Sequence, residues 1–413
     1  METVDNFNAQ LRRNLLMLFA AGLLFWSSLA SLLPTLPLYI EDIGANKQQI
    51  GIVMGSFAIG MLVFRPQCGV LADRRGRKFV LLIGVLVAAI APLGYLAVKS
   101  IIFLIVIRAF HGISIAAFTT GYSALVADLA PEHRRGEIIG YLSLVNPVGT
   151  AIGPALGGYL QETAGNLLLF ASCSALAGLA LLCLLPVVNP PINRQAHSSS
   201  QERFWQLLIS PRVRTPAMIL LLVGLAVGAV HTFISLFIKS TGIQLNAGLF
   251  FASAAVSSFS VRLFAGRAAD KYGRGLLITI SLIAYSIAIA CIRQANNAPT
   301  FLLGGLIEGA SNGTIFPIIA AMMADRSLPH ERGRVFSVSL VGFDVGLMIA
   351  GPIFGFVAEA VGYRQMFSVA MGLNVLAVII FLTQSGKNLA DSFRFALSRG
   401  RDFYSLNRNN SLN

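Results

Sequence analysis

The chain has 413 residues, 55% of them hydrophobic and only 12% charged. Soluble domains carry about 25% charged residues, so a wetted globular surface is excluded, and 39 glycines without a G-X-Y period together with 28 phenylalanines exclude collagen and disorder. The 31 Lys+Arg against 18 Asp+Glu leave a net charge of +13, which would suggest nucleic acid in a soluble protein and here must be sorted by position.

A membrane helix needs about 20 apolar residues. In chain order such runs fall at roughly 15–38, 49–71, 79–98, 101–126, 137–160 and 167–188, then 215–238, 247–268, 275–293, 299–323, 334–358 and 365–384. The reading is therefore a cytoplasmic N-terminus at 1–14, a six-helix bundle at 15–188, a linker at 189–214, a second six-helix bundle at 215–384 and a basic tail at 385–413. Arg12 and Arg13 precede an apolar run too long for a cleaved signal, so the first span is expected to be retained. The linker, rich in Pro and Ser, reads as flexible, with room for a short interfacial helix around 204–209. The tail is either disordered or an amphipathic helix lying on anionic lipid around 389–403. Cys68, Cys173, Cys183 and Cys291 all fall within apolar spans, with no disulfide or metal spacing.

An even number of spans puts both termini on one side. If that side is the cytoplasm, inside segments hold 23 of the 31 Lys and Arg. Outside loops hold 5 (Lys47, Lys99, Lys239, Arg293 and Arg364), and Arg65, Arg108 and Arg262 lie within spans. The positive-inside rule then places both termini in the cytoplasm of a cell membrane. The net charge reflects topology, and no nucleic-acid partner is expected.

The second half repeats the first at an offset of 197 residues. Arg65, Gly69, Asp73, Gly76 and Arg77 fall on Arg262, Gly266, Asp270, Gly273 and Arg274; Gly112 falls on Gly309 and Asp128 on Asp325. Arg135-Gly136 falls on Arg332-Gly333 and, one residue later in register, Gly153-Pro154 meets Gly351-Pro352. Parallel six-helix repeats are a transporter architecture, with substrate held near the bilayer midplane. The fold class expected is an all-α integral membrane protein of twelve transmembrane helices in two pseudo-symmetric bundles.

These residues also carry a family resemblance. GVLADRRGRKFVLL at 69–82 resembles the signature loop of the major facilitator superfamily, and GRAADKYGR at 266–274 is a weaker copy. RAFHG at 108–112 is similar to the family's second motif, and GTAIGPALGG at 149–158 resembles the motif of its antiporters, as in the drug:proton efflux branch. The resemblance implies that Asp73 helps latch the cytoplasmic side, with Arg77 paired to an acid at the end of the fourth span, where Asp128 stands. Asp270 and Arg274 would do the same in the second half. The family's proton-driven exporters often carry an acid in the first span; 15–38 has none, and Glu41 and Asp42 lie just outside it.

Physically, Gly69 would permit close helix approach and Gly76 the turn. Gly149, Gly153 and Gly157 are four apart on one helix face, where small residues let a neighbouring backbone come close, while Pro154 loosens the helix and Gly158 extends the stripe. Gly342, Gly346, Gly351, Pro352 and Gly355 form a matching device in the eleventh span.

Buried charge is the sharpest pointer, because each charge costs several kcal/mol unless paired or hydrated. Arg108 lies about 10 Å inside the outer face by helix rise, with His111 one turn further on the same face. Glu308 occupies the repeat position of His111, and Asp344 lies near the midplane. An acid at that depth either meets a cation or takes up a proton. Asp344 and Glu308 are therefore the candidate protonation sites, with Arg108 tuning them or holding substrate. Arg65 and Arg262, deep from the cytoplasmic end, read as structural or gating. His231 reads as a hydrogen-bonded structural histidine.

No metal spacing, nucleophile constellation or G-x-x-x-x-G-K-[ST] phosphate loop occurs, so neither an enzyme, an ATP-driven pump nor a cofactor is expected. The leading reading is a monomeric secondary transporter that exports a small amphipathic or drug-like molecule against inward proton flow. The alternative is a proton-coupled uptake symporter or facilitator for an anionic metabolite bound by Arg108 and Arg65. A membrane sensor would need a folded soluble module that the chain lacks room for.

Overall fold

In a computed structural model the described residues are 2–97, 99–131, 134–188, 202–328 and 332–406, with side chains left aside at 2–9, 135–136, 202–205 and 332–334. The first half of the expected linker, 189–201, and the last tail residues, 407–413, lie outside them, as do Arg194 and Arg408 of the charge count. Among the described residues there are fourteen helices and no strand.

The first compact unit comprises Met1–His197 and Asn246–Ala252, and the second Ser198–Leu245 and Ser253–Asn413. The first contains α1 (Glu2–Asp42), α2 (Lys47–Arg75), α3 (Arg77–Ala97), α4 (Ile101–Leu129), α5 (Arg135–Ser143) and α6 (Val145–Leu184). Next come α7 (Glu202–Ile209), α8 (Pro211–Ser240), α9 (Ala247–Tyr272), α10 (Arg274–Gln294), α11 (Ala298–Asp325), α12 (Arg332–Val361), α13 (Tyr363–Gln384) and α14 (Leu389–Ala396). Local chemistry sets their ends: Asn46 and Gln49 form a reciprocal capping box at the start of α2, and Asn297 and Asn388 cap α11 and α14.

Eleven stretches are long and apolar enough to cross a membrane, one fewer than the twelve spans read from sequence. The difference lies in α6, where Gly165 has φ +77° and ψ 179° in the middle of an otherwise unbroken helix. Contacts with α1 show a reversal there. Before Gly165 the two helices run parallel: Ser31 Oγ donates to the Gly153 carbonyl at 2.8 Å and Gln161 Nε2 to the Thr35 carbonyl at 3.1 Å. After it they run antiparallel, for Phe170 meets Tyr39 edge to face, Ser28 bonds the Cys173 carbonyl and Val188 N–H reaches Asn14. Two crossings thus share α6, and the total is twelve.

The repeat is a repeat of backbone. Shifted by 197, α3 coincides with α10, and Gly165 falls on Gly362, whose φ is +82° and which separates α12 from α13. Gly76 (φ +99°) likewise falls on Gly273 (φ +87°). In the second unit α12 runs parallel to α8, with Gly342 against Ala217 and Gly346 against Leu221. α13 runs antiparallel to α8, with Phe367 against Phe237 and Gln384 against Thr215.

The tail has a helix within the expected stretch, α14, and it is held against the protein. Residues 385–406 neither lie free nor leave the protein: α14 packs Phe395 against Phe381, and Thr279 Oγ1 donates to the Ala396 carbonyl at 3.0 Å. Phe395 is buried against the second unit, whereas Phe393 stays 52% exposed.

Candidate functional site

The positions singled out by buried charge separate into one cluster per unit. In the first, α2, α3 and α4 converge on Arg108. Gly112 of α4 and Gly60 of α2 make this approach possible, since a Cβ on Gly112 would overlap the Phe57 carbonyl oxygen and one on Gly60 that of Ala109. The same closeness brings the Phe57 ring under the Arg108 guanidinium, 4.4 Å from Cζ to the ring centroid. Arg108 Nη1 reaches the Tyr95 hydroxyl at 3.5 Å, and that hydroxyl is 2.9 Å from His111 Nδ1. Arg108 and His111 are both buried, and Arg108 Nε and His111 Nε2 have no hydrogen-bond partner. Among the described residues no carboxylate lies within ion-pair distance of Arg108; a ring face and a phenol hold it. Neither Tyr95 nor Phe57 was singled out from sequence.

In the second unit the cluster is acidic. Glu308 on α11 is 2% exposed. Its Oε1 accepts from Asn312 Nδ2 at 2.5 Å, one helical turn on, and lies 3.4 Å from His231 Nε2 on α8. The His231 side chain is 32% exposed, so the pair has one buried and one accessible end. Tyr285 of α10 lies beside the carboxylate. His231 is thus the neighbour of a buried acid, a relation that its sequence position does not reveal.

Asp344 is also buried, on α12. It stands two residues from both Gly342 and Gly346, which touch α8, and so projects from the opposite face of α12. Arg65 is half-buried on α2, whereas Arg262 on α9 is exposed, so the two repeat positions differ in setting.

The signature loops are built around arginine. Gly76 ends α2 in a conformation that favours glycine, placing Arg77 at the first position of α3. Arg77 Nη1 lies 2.6 Å from Asp73 Oδ1, and its Nε 3.3 Å from Asp128 Oδ2 at the end of α4. In the second unit Arg274 is paired with Asp325, the repeat equivalent of Asp128. Asp270 is exposed and forms no ion pair among the described residues, so the second loop keeps only the pairing between helices. Gly69 also corrects its reading: a Cβ there would meet nothing within 4 Å, and the same holds for Gly266. Neither glycine is required here for close approach, because the neighbouring helices come together elsewhere, at Gly60 and Gly112 in the first unit and at Gly309 and Gly313 in the second.

The stripe on α6 is a contact with α1. A Cβ on Gly149 would lie 2.5 Å from Trp26 Cβ, one on Gly153 2.5 Å from the Ser27 carbonyl oxygen, and one on Gly157 would overlap the Ser31 carbonyl. Pro154 is buried within the same stretch, and Gly158 faces Asn246, counted in the same unit. A cavity of about 380 Å³ in the second unit is lined by Phe237, Thr241, Asn296, Tyr363 and Arg364, none of them a residue singled out for function. Arg364 is engaged there by the carbonyls of Arg293 and Ala295.

The family model described as Major Facilitator Superfamily matches residues 18–267 and 247–392. Among curated relatives, the multi-drug resistance efflux pump PmrA of Streptococcus pneumoniae is 26% identical over 367 residues, covering 86% of this chain and 91% of that protein. The quinolone resistance protein NorA of Staphylococcus aureus is 23% identical over 392 residues, covering 91% and 97%. Among solved structures, a single-residue mutant of the nucleoside transporter NupG superposes with a TM-score of 0.77 at 17% identity, covering 89% of this chain and 99% of that one.

Proposed function

The chain belongs to the major facilitator superfamily, and from that premise we propose that it exports small amphipathic or drug-like molecules by alternating access, driven by protons entering through Glu308. The observation that carries this reading is the setting of Glu308: a carboxylate 2% exposed among membrane helices, with an amide and an imidazole for neighbours and no Arg or Lys paired with it among the described residues. An ionised carboxylate in that setting costs several kcal/mol. The Asn312 N–H offsets part of this, and a protonated His231 would offset more. With the proton on Glu308 and His231 neutral, the pair itself holds no buried charge. The pair can therefore exchange a proton between an enclosed and an accessible position. Asp344 is a second acid for the same task, and Arg108, held by Phe57 and Tyr95, is a buried cation able to hold an acidic substrate group.

The names of the two relatives support the direction and the substrate class. In this reading both termini face the cytoplasm, and the protein works as a monomer. Arg77–Asp128 and Arg274–Asp325 tie the cytoplasmic ends of the helices within each half, so that each half moves as a body; Asp73, Gly69, Asp270, Arg65 and Arg262 belong to the same gate region. The α1–α6 glycine contact seals the antiporter-like helix against its neighbour.

Transport in inverted membrane vesicles with an imposed pH gradient tests the proposal, using a panel of fluorescent dyes and organic anions. Dye uptake should discharge the gradient, and Glu308→Gln should abolish proton movement while leaving dye exchange at zero gradient. Proton movement that survives Glu308→Gln at the original rate refutes Glu308 as the entry site. Anion accumulation by intact cells without dye extrusion refutes export.

A further inference from the structure

Arg326 follows Asp325 directly and was counted from sequence only as a topology charge, yet it is the largest fully buried side chain among the described residues, 1% exposed. Its Nε donates to Asp402 Oδ2 at 2.7 Å, Nη1 to the Arg212 carbonyl at 3.3 Å and Nη2 to the Ser385 carbonyl at 3.2 Å. Its guanidinium carbon also lies 5.7 Å from the Phe395 ring centroid and 5.1 Å from that of Tyr404. Asp402 is itself 13% exposed, so the ion pair is largely out of solvent. All these partners except Arg212 belong to residues 385–406.

The same segment grips both sides of the neighbouring ion pair. Leu406 N–H donates to the Asp325 carbonyl at 2.8 Å. On the Arg274 side, Ser398 Oγ accepts from Leu276 N–H at 3.3 Å, and Gly275 sits so close to Phe395 that a Cβ would overlap its carbonyl oxygen. Tyr404 closes the segment on itself through a bond to the Gly386 carbonyl at 3.2 Å. In the first unit the repeat position of Arg326 is Leu129. The device is therefore specific to the second half, where the signature loop lacks the Asp73-type pairing.

We propose that residues 385–406 form an intramolecular clamp that positions the Arg274–Asp325 pair, with Arg326 as the positioning residue that anchors it through Asp402. An ion pair that is enclosed and multiply hydrogen-bonded fixes geometry where an exposed one would not. The clamp supplies, from the tail, the rigidity that Asp73 supplies to the first loop. The inference rests on the gate role given to Arg274–Asp325.

The test uses the full chain in proteoliposomes with a fluorescent dye as the transported probe. Asp402→Asn should lower the maximal rate about fivefold with little change in KM, and raise hydrogen exchange together at 274–279 and 389–398. Asp402→Glu should retain most of the rate. Arg274→Gln should lower the rate similarly, and adding Asp402→Asn to it should lower it no further, because both act on one pair. If Asp402→Asn fails to accumulate, Tyr404→Phe is the milder variant, with a smaller loss that is likewise absent in the Arg274→Gln background. Loss of rate by the same factor in that background overturns the clamp. So does raised exchange with an unchanged rate while Arg274→Gln remains impaired, an outcome that leaves the gate reading standing. An Arg274→Gln protein working at the original rate overturns the gate reading and the clamp with it.

Discussion

Gly112→Ala and Gly69→Ala add one methyl group to neighbouring helices of the same unit, and the structure gives them opposite signs. At Gly112 the new Cβ overlaps the Phe57 carbonyl oxygen and stands 3.0 Å from Met61 N. Both are backbone atoms of α2, so relief requires α2 and α4 to part. Overpacking costs about 1–3 kcal/mol, and obstruction by backbone rather than by a side-chain end places this site near the upper limit. Replacing a helical glycine by alanine returns about 1 kcal/mol, so the net loss is about 2 kcal/mol. At Gly69 nothing lies within 4 Å, and the propensity gain of about 1 kcal/mol stands alone. The variants should therefore differ by about 3 kcal/mol, or roughly 6 °C or more in unfolding temperature for a unit of this size. Gly309→Ala should behave like Gly112→Ala, since its Cβ would overlap the Ala254 carbonyl oxygen. Thermal unfolding of purified protein in detergent, followed by far-UV circular dichroism, measures the difference. A Gly69→Ala protein that melts as low as Gly112→Ala refutes the reasoning. One that melts higher yet transports poorly assigns the glycine's role to a different conformation.

Two further outcomes follow from the repeat. Gly165→Ala and Gly362→Ala should each lose about 1–3 kcal/mol in the same melting assay, because both combine a positive φ with an extended ψ, a conformation essentially confined to glycine. Crowding contributes little there, with nothing within 4 Å of a Cβ on Gly165 and only Gln365 Oε1 at 3.6 Å from one on Gly362, so an unchanged melting temperature would contradict the strain argument. Asp325→Asn should slow dye transport severalfold and Asp270→Asn distinctly less, since Arg274 pairs with Asp325 and Asp270 stands exposed. Stability should fall by no more than about 1 kcal/mol in either, given the partial exposure of the pair. Equal transport rates in the two variants would show that the pairing does not govern the gate.

What sequence made legible was whatever is local or periodic. Apolar runs are set by the bilayer, and the 197-residue register followed from residues such as Gly76 and Gly273 whose backbone conformation admits few replacements. The partners of the buried charges were hidden. His231 and Glu308 are separated in the chain by α9 and α10, and no spacing rule links α8 to α11. Tyr95 looked like any aromatic at the end of an apolar run, although its hydroxyl joins Arg108 to His111. The tail was ambiguous for a different reason. A basic segment with scattered aromatics reads alike whether it meets lipid or protein, and the deciding residues, Arg326 and Asp402, lie 76 positions apart.

The two halves preserve packing and exchange chemistry. Positive-φ glycines recur at 76 and 273 and at 165 and 362. The arginine–aspartate tie recurs at 77–128 and 274–325, and the glycine against a facing carbonyl recurs at 112 and 309. These are demands of helix geometry, and both bundles must meet them. The cluster positions obey no such rule: His111 becomes Glu308, Arg108 becomes Gly305 and Phe57 becomes Ala254. The close approach at Gly309 would tolerate an apolar residue at 308, since contact there is made by backbone. A buried carboxylate, costly in lipid, is then not accounted for by packing. Glu308→Gln preserves shape and the Asn312 contact while removing the charge, so it should leave the melting temperature equal or raised while abolishing proton movement. A protein that instead melted markedly lower would mean that the charge itself holds the bundle together, and the proton-entry role would lose its main support.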